Sequence, residues 1–381
     1  MVGAGTDARV RLSATIPAVD FELSVDQLAL HDAATALLGA RASRTEVRAV
    51  VDGGGGWDRG LWADLCAQGW PGIAAPQELG GVGLGWVEAA VLIEATGAFV
   101  APAPVLGQLV SIDALVAGGE RVWASRLIAG EAIATAAYRP VEAQHHDDTW
   151  LLSGTTEPLP FGPSADVVVV RATVVDGSAA DGTEALFLVE VGADRPASEP
   201  AMDRTRELGR LHLDASPATY LGGDQAVARH LDAGAIAYSA ELLGAAARCL
   251  DLSVGYAKER VQFGRPIGSF QAVKHRCADM LVDVEGMRST AWWAAWCLSV
   301  DDPERSLAAS TAKAWCSDAA DRVLASALQV HGGIGFTWEC DVHLYLKRVQ
   351  LDRVSFGSAA FHRDRLAGML REKVEAGTPV I

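Results

Sequence analysis

The stretch from Tyr256 to Met280 constrains this chain more than any other. Two long runs of helical periodicity meet there, separated by Gly264-Arg-Pro-Ile-Gly268. Gly264 tolerates a positive φ, Pro266 fixes φ and removes a donor, and Gly268 permits a close backbone approach. The helices must therefore break sharply. Arg260 falls at the end of the first helix, with Phe263 and Gln271 beside the turn. A guanidinium, an aromatic ring and an amide at a helix corner suit a flat ligand that bears phosphate. The helix dipole alone also favours an arginine at that end, so both readings stay open on the motif itself.

The rest of the chain divides by period. Residues 1–20 are polar and Gly/Ala-rich, a flexible tail. Residues 21–130 read as a helical domain: Ser24 and Gln27 form a capping-box pattern before an amphipathic run. The four glycines from Gly53 form a flexible break. Trp57–Gln68 is a short helix, Gly69–Gly85 an ordered loop, and Val87–Gly97 a helix apolar on most sides. From about Ala132 the pattern turns to short β-type runs, Trp150–Gly154, Val167–Arg171, Ala185–Val191 and Arg210–Ala215, giving a middle β-domain over 131–225. Helices resume over 226–381. Ile236, Ala240, Leu243, Ala247, Leu250 and Val254 mark the core stripe of a helix over Asp232–Tyr256. Further helices follow at Arg276–Val300, which carries Trp292, Trp293 and Trp296, and at Ser306–Val330, which Gly332-Gly333 stops. The fold class is α+β.

Composition narrows function by exclusion. The net charge of −16 repels phosphate backbones and argues against nucleic acid. Six scattered cysteines, with neither C-x-x-C nor ligand-spaced histidines, argue against a metal site or a disulfide framework. No apolar run reaches the ~18 residues of a membrane span, and the N-terminus lacks a secretory pattern. A cytoplasmic location is expected.

Three blocks carry a family resemblance. Arg260-Val-Gln-Phe-Gly-Arg-Pro-Ile with Phe270-Gln271 resembles a C-terminal signature of the acyl-CoA dehydrogenase flavoproteins. Ala312-Lys-Ala through Gln329-Val-His-Gly-Gly-Ile-Gly335 resembles the other, and Trp70 through Gly83 the N-terminal one. The resemblance implies an N-terminal helical domain, a β-barrel-like middle domain and a C-terminal four-helix bundle. It implies FAD, held by Arg260, Gln262, Phe263, Gln271, Gln329, Gly332 and Gly333. It further implies an acyl-CoA substrate oxidised to the 2-enoyl-CoA, and electron-transfer flavoprotein as acceptor. A carboxylate removes the α-proton, while flavin performs the redox step.

Against that family pattern the chain departs in two places. The usual glutamate position is Phe356, and the minority position on the preceding helix is Gly234. Glu241 is the only charge between Ala233 and Ala247, so it is the candidate base, with a pKa expected to be raised by desolvation. Pairing with a basic residue from another helix is the alternative for it. The segments expected to cover the flavin ring read Ala137–Gln144 and Glu157–Gly162, with Pro158 and Pro160 where Trp and Thr are usual. An intact diphosphate side beside a degraded ring side resembles one subunit of a heteromer (α2β2), as in actinobacterial steroid-side-chain dehydrogenases and the small subunits of dicarboxylyl-CoA (pimeloyl-CoA) dehydrogenases. A homotetramer, a non-catalytic partner completing another chain's FAD site, and an oxidase or monooxygenase on the same fold are the alternatives.

Overall fold

The computed structural model describes residues 23–175, 177, 180–192 and 195–378, so the expected tail at 1–20 lies outside the described residues. The N-terminal helices are α1 (Val25–Arg41), α2 (Arg44–Asp52), α3 (Arg59–Ala67), α4 (Trp86–Phe99), α5 (Val105–Ala117) and α6 (Arg121–Ile128). Ser24 and Gln27 form the expected capping box. The four-glycine run is an ordered turn rather than a loose break. Gly54, Gly55 and Gly56 take φ of 116, 91 and 118°, and Gly56 N–H donates to Arg204 O of the middle domain.

The middle domain holds β1 (Ala134–Ala136), β2 (Val141–His146), β3 (Thr149–Thr155), β4 (Leu159–Pro160), β5 (Val167–Val174), β6 (Glu184–Glu190), β7 (Leu208–Gly209) and β8 (His212–Gly222). Strands β2, β3, β8, β6 and β5 pair in a ring, which makes the sheet a small barrel. The strand expected over Arg210–Ala215 starts at His212 and runs to Gly222, because pairing with β3 and then β6 carries it beyond its own apolar pattern.

The C-terminal part is α7 (Asp224–Glu259), the β9 (Val261–Gln262) and β10 (Arg265–Pro266) hairpin, α8 (Gln271–Ser299), α9 (Arg305–His331), α10 (Val342–Asp352) and α11 (Ala359–Glu375). Helix α7 begins about two turns before the expected start at Asp232, directly after β8. Its central residues 233–246 are all buried, because α4, α8 and α9 surround it. Glycines let α4 and α7 meet backbone to backbone: a Cβ on Gly97 would stand 2.1 Å from Glu241 O, and one on Gly244 would stand 1.8 Å from Glu94 O. Trp292 serves packing, its indole N–H donating to Glu94 at 3.3 Å, whereas Trp296 is partly exposed.

Candidate functional site

Arg260 caps the C-terminus of α7, as its position before the break requires. The β9–β10 hairpin turns on Phe263 (φ 53°) and Gly264 (φ 77°), the two positive φ values that a tight two-residue hairpin demands. Gly268 makes its close approach, for a Cβ there would lie 2.9 Å from Ala257 O. At the end of α9, His331 donates through Nδ1 to Ala327 O at 2.8 Å and stacks on Tyr256 with 4.7 Å between ring centroids. Tyr256, Arg260, Gln262, Ile267, His331 and Gly333 thus wall a cleft of about 380 Å³.

The cleft gathers Arg260, Gln262 and Gly333. Phe263 stands 91% exposed at the hairpin tip, and Gln271, Gln329 and Gly332 do not line the wall. Its donor set suits a diphosphate. Arg260 makes no ion pair among the described residues, and a Cβ at Gly332 or Gly333 would meet nothing within 4 Å, leaving bare backbone open to a ligand.

A second centre lies where the resemblance places the base. Phe356 (φ 51°) is buried and fills a notch at Gly234, where a Cβ would be 1.9 Å from Phe356 Cδ1. The two alternative glutamate positions therefore converge on one point, and neither supplies a carboxylate. His230, Gly234 and Tyr238 stand at i, i+4 and i+8 on one face of α7. The rings of Tyr138, Tyr238 and His230 enclose Phe356 at 5.7, 5.7 and 5.2 Å. Behind it, His362 Nε2 donates to Phe356 O at 2.8 Å, and Lys313 Nζ donates to Gly357 O at 2.9 Å and to Arg353 O at 3.1 Å. Burial pushes Lys313 down to about 7, His230 to about 4 and His362 to about 3. What remains between α5, β1, β4 and α7 is a cavity of about 10 Å³.

On the barrel side, Pro160 offers only its carbonyl, which accepts from Thr135 Oγ1 at 2.7 Å. Glu157 Oε1 accepts from Tyr138 N–H at 2.8 Å, and burial raises that carboxyl above its ordinary value.

The expected pKa of Glu241 is corrected. Burial pushes the carboxyl up, but the Arg206 and Arg348 guanidiniums outweigh it and hold Glu241 below the usual carboxylate range. Arg206 Nη2 and Arg348 Nη1 donate to Oε1 at 2.6 and 2.7 Å. Arg206 also pairs with Asp352 at 2.7 Å, and Arg348 with Asp203 at 2.7 Å, all of them buried. Asp352 is pushed well up, first by burial and then by the neighbouring Glu241 charge. A carboxylate held between two arginines is a poor acceptor for a carbon-bound proton. Sequence reasoning missed Arg206, Arg348 and Asp352. It also missed the His230–Gly234–Tyr238 ridge, which its i, i+4, i+8 spacing marks.

Among the described residues no group of three or more His, Cys, Asp or Glu is placed to hold a metal, all six cysteines are free, and no helix is long and apolar enough to cross a membrane. Residues 24–123 match the acyl-CoA dehydrogenase N-terminal domain and residues 221–370 the acyl-CoA dehydrogenase C-terminal domain. The chain is 37% identical to the acyl-CoA dehydrogenase IpdE2 of Mycolicibacterium smegmatis over 327 residues, covering 86% of this chain and 93% of that one. Among solved structures it resembles a variant of the Tcur3481-Tcur3483 steroid ACAD (TM-score 0.85, 31% identity, 92% of this chain and 99% of that one). It also resembles the ChsE4-ChsE5 complex from Mycobacterium tuberculosis (TM-score 0.85, 28% identity, 95% and 100%).

Proposed function

Because the chain belongs to the acyl-CoA dehydrogenase family, whose members are FAD-binding flavoproteins, we propose that it is the FAD-diphosphate-holding subunit of a heterotetramer. That assembly dehydrogenates an acyl-CoA thioester at its α and β carbons, and a paralogous partner chain supplies the base. The observation that carries this reading is the Phe356 ring seated in the Gly234 notch, which leaves about 10 Å³ where an acyl group and a carboxylate would have to meet. Bound FAD would supply the acceptor for the β-hydrogen, which leaves as hydride. This chain's part is to bind and to exclude. Arg260 holds the diphosphate, Gly332 and Gly333 let the nucleotide approach the backbone, and Phe356 shuts water and substrate out of this chain's own cavity. The steroid ACAD among the similar structures and the ChsE4-ChsE5 complex support a steroid-derived CoA thioester and a heteromeric assembly. We assign electron-transfer flavoprotein as the acceptor of the electrons of the reduced flavin. Glu241 serves in this reading as an anchor of the buried ion cluster.

Co-expression tests the proposal. The chain alone should purify with little flavin, and with its partner it should gain flavin and acyl-CoA-dependent bleaching. Arg260→Ala in the assembly should weaken FAD by roughly tenfold to a hundredfold, the range for one charge-assisted contact. The reading is overturned by stoichiometric FAD and turnover in a homotetramer of this chain. If Glu241→Gln abolishes bleaching in an assembly that keeps its flavin and fold, the base is returned to this chain.

A further inference from the structure

The turn at 353–357, between α10 and α11, carries Phe356 in a backbone shape that side chains resist. Phe356 (φ 51°) and Gly357 (φ 95°) are consecutive residues of positive φ, and a Cβ at 357 would stand 2.4 Å from Phe361 Cδ1. A bulky residue stays in that region only where its surroundings over-determine it, and such residues gather at functional places. Here the surroundings act on carbonyls. Arg353 O, Phe356 O and Gly357 O all accept from buried side chains of α9 and α11.

Lys313 on α9 holds the first and the last of them. It is fully buried, and its Nζ donates to Arg353 O at 3.1 Å, to Gly357 O at 2.9 Å and to Ser317 Oγ at 3.1 Å. That is one acceptor for each proton of an ammonium. Lys313 makes no ion pair among the described residues. A cation buried without countercharge is costly, and burial pushes Lys313 down to about 7. An apolar side chain would fill the place without that cost, so packing alone does not account for a lysine. His362 on α11 holds the middle carbonyl. While Nε2 donates to Phe356 O at 2.8 Å, Nδ1 accepts from Ser310 Oγ at 3.3 Å, and Arg365 donates to that hydroxyl at 3.1 Å. The three carbonyl bonds end on backbone, not on the ring.

We propose that Lys313 and His362 are positioning residues that clamp the carbonyls of this turn and so lay the Phe356 ring in the Gly234 notch. The contacts of the ring with Tyr138, Tyr238 and His230 follow from that frame rather than hold it. This role rests on the reading of Phe356 as the seal of this chain's own cavity, and it is independent of FAD and of the partner chain.

Gly234→Ala serves as the gauge, since its methyl clashes with the ring only while the ring sits in the notch. Thermal melting of the full chain should show Gly234→Ala lowering Tm by several degrees, and none of that loss in a Phe356→Ala background. In Lys313→Met and in His362→Leu, which remove the donors, most of the loss should vanish because the ring is free to leave. His362→Gln, which can still donate toward Phe356 O, should restore it. Asp58→Ala unfastens the distant N-cap of α3 and controls for general loosening, so it should keep the whole loss. The clamp is overturned if the loss is undiminished in either Lys313→Met or His362→Leu, if Asp58→Ala diminishes it as much, or if His362→Gln and His362→Leu behave alike. A loss that survives Phe356→Ala is a different failure: the ring is then not in the notch, and the seal falls together with its clamp.

Discussion

Gly234 and Phe356 form one packing unit drawn from distant segments, and their coupling is measurable. Gly234→Ala places a methyl 1.9 Å from the Phe356 ring, so it should destabilise the chain by about 1–3 kcal/mol or more, the usual range for overpacking. With Phe356 cut back to Ala the same change should cost nothing, since alanine is the better helix former. A double-mutant cycle read by urea unfolding checks this, and additive effects would show that the ring does not occupy the notch. At this scale, legibility depends on whether a residue type states its own backbone need. Gly264 and Gly268 announced a positive φ and a close approach, and both are present. Glu241 announced only that a charge stands among apolar residues. Its partners come from sequence positions 35 and 107 residues away, which no local pattern points to.

At the scale of elements, the buried ion cluster joins three segments: Asp203–Arg206 beside the barrel, Glu241 on α7 and Arg348 with Asp352 on α10. Its carboxylates are not equivalent. Two arginines hold Glu241 below the usual carboxylate range, while burial and the neighbouring Glu241 charge push Asp352 well above it. Glu241→Gln leaves two buried guanidiniums short of countercharge and should cost about 3–5 kcal/mol, as breaking a buried pair does. Asp352→Asn removes a carboxyl whose ionisation the fold already opposes, and should cost less. Equal losses in urea midpoint would refute that division of charge. Helix α7 and the barrel were legible in outline because their apolar periods differ. The extra turns of α7 and the length of β8 were not, since neighbouring elements extend both beyond their own patterns.

For the whole molecule, the buried titratable groups fix how stability follows pH. Lys313 is held near 7 in the fold against an ordinary 10.5, so between those values the unfolded chain binds the extra proton. Stability from this group is complete above 10.5 and is lost as pH falls from there to about 7. His230 and His362, at about 4 and about 3 against 6.5, act in the same direction in a lower window. Each withdraws up to about 1.4 kcal/mol per pH unit below 6.5 until its folded value is reached. Asp352 opposes them, because its raised carboxyl keeps a proton that the unfolded chain releases above 3.8, so its contribution grows as the solution is acidified. Two basic groups thus protect the fold in the acid window only while they stay neutral, and one acid offsets part of their loss. The urea midpoint should therefore fall steadily from mildly alkaline to acidic pH. The decline should steepen below 6.5 and become steeper still in Asp352→Asn, which removes the opposing group. Replacing His362 by Gln, which can still donate toward Phe356 O, should flatten the lower branch. A midpoint that rises between pH 7 and about pH 5 would mean that these side chains charge inside the fold, and that the packing around Phe356 is open to water.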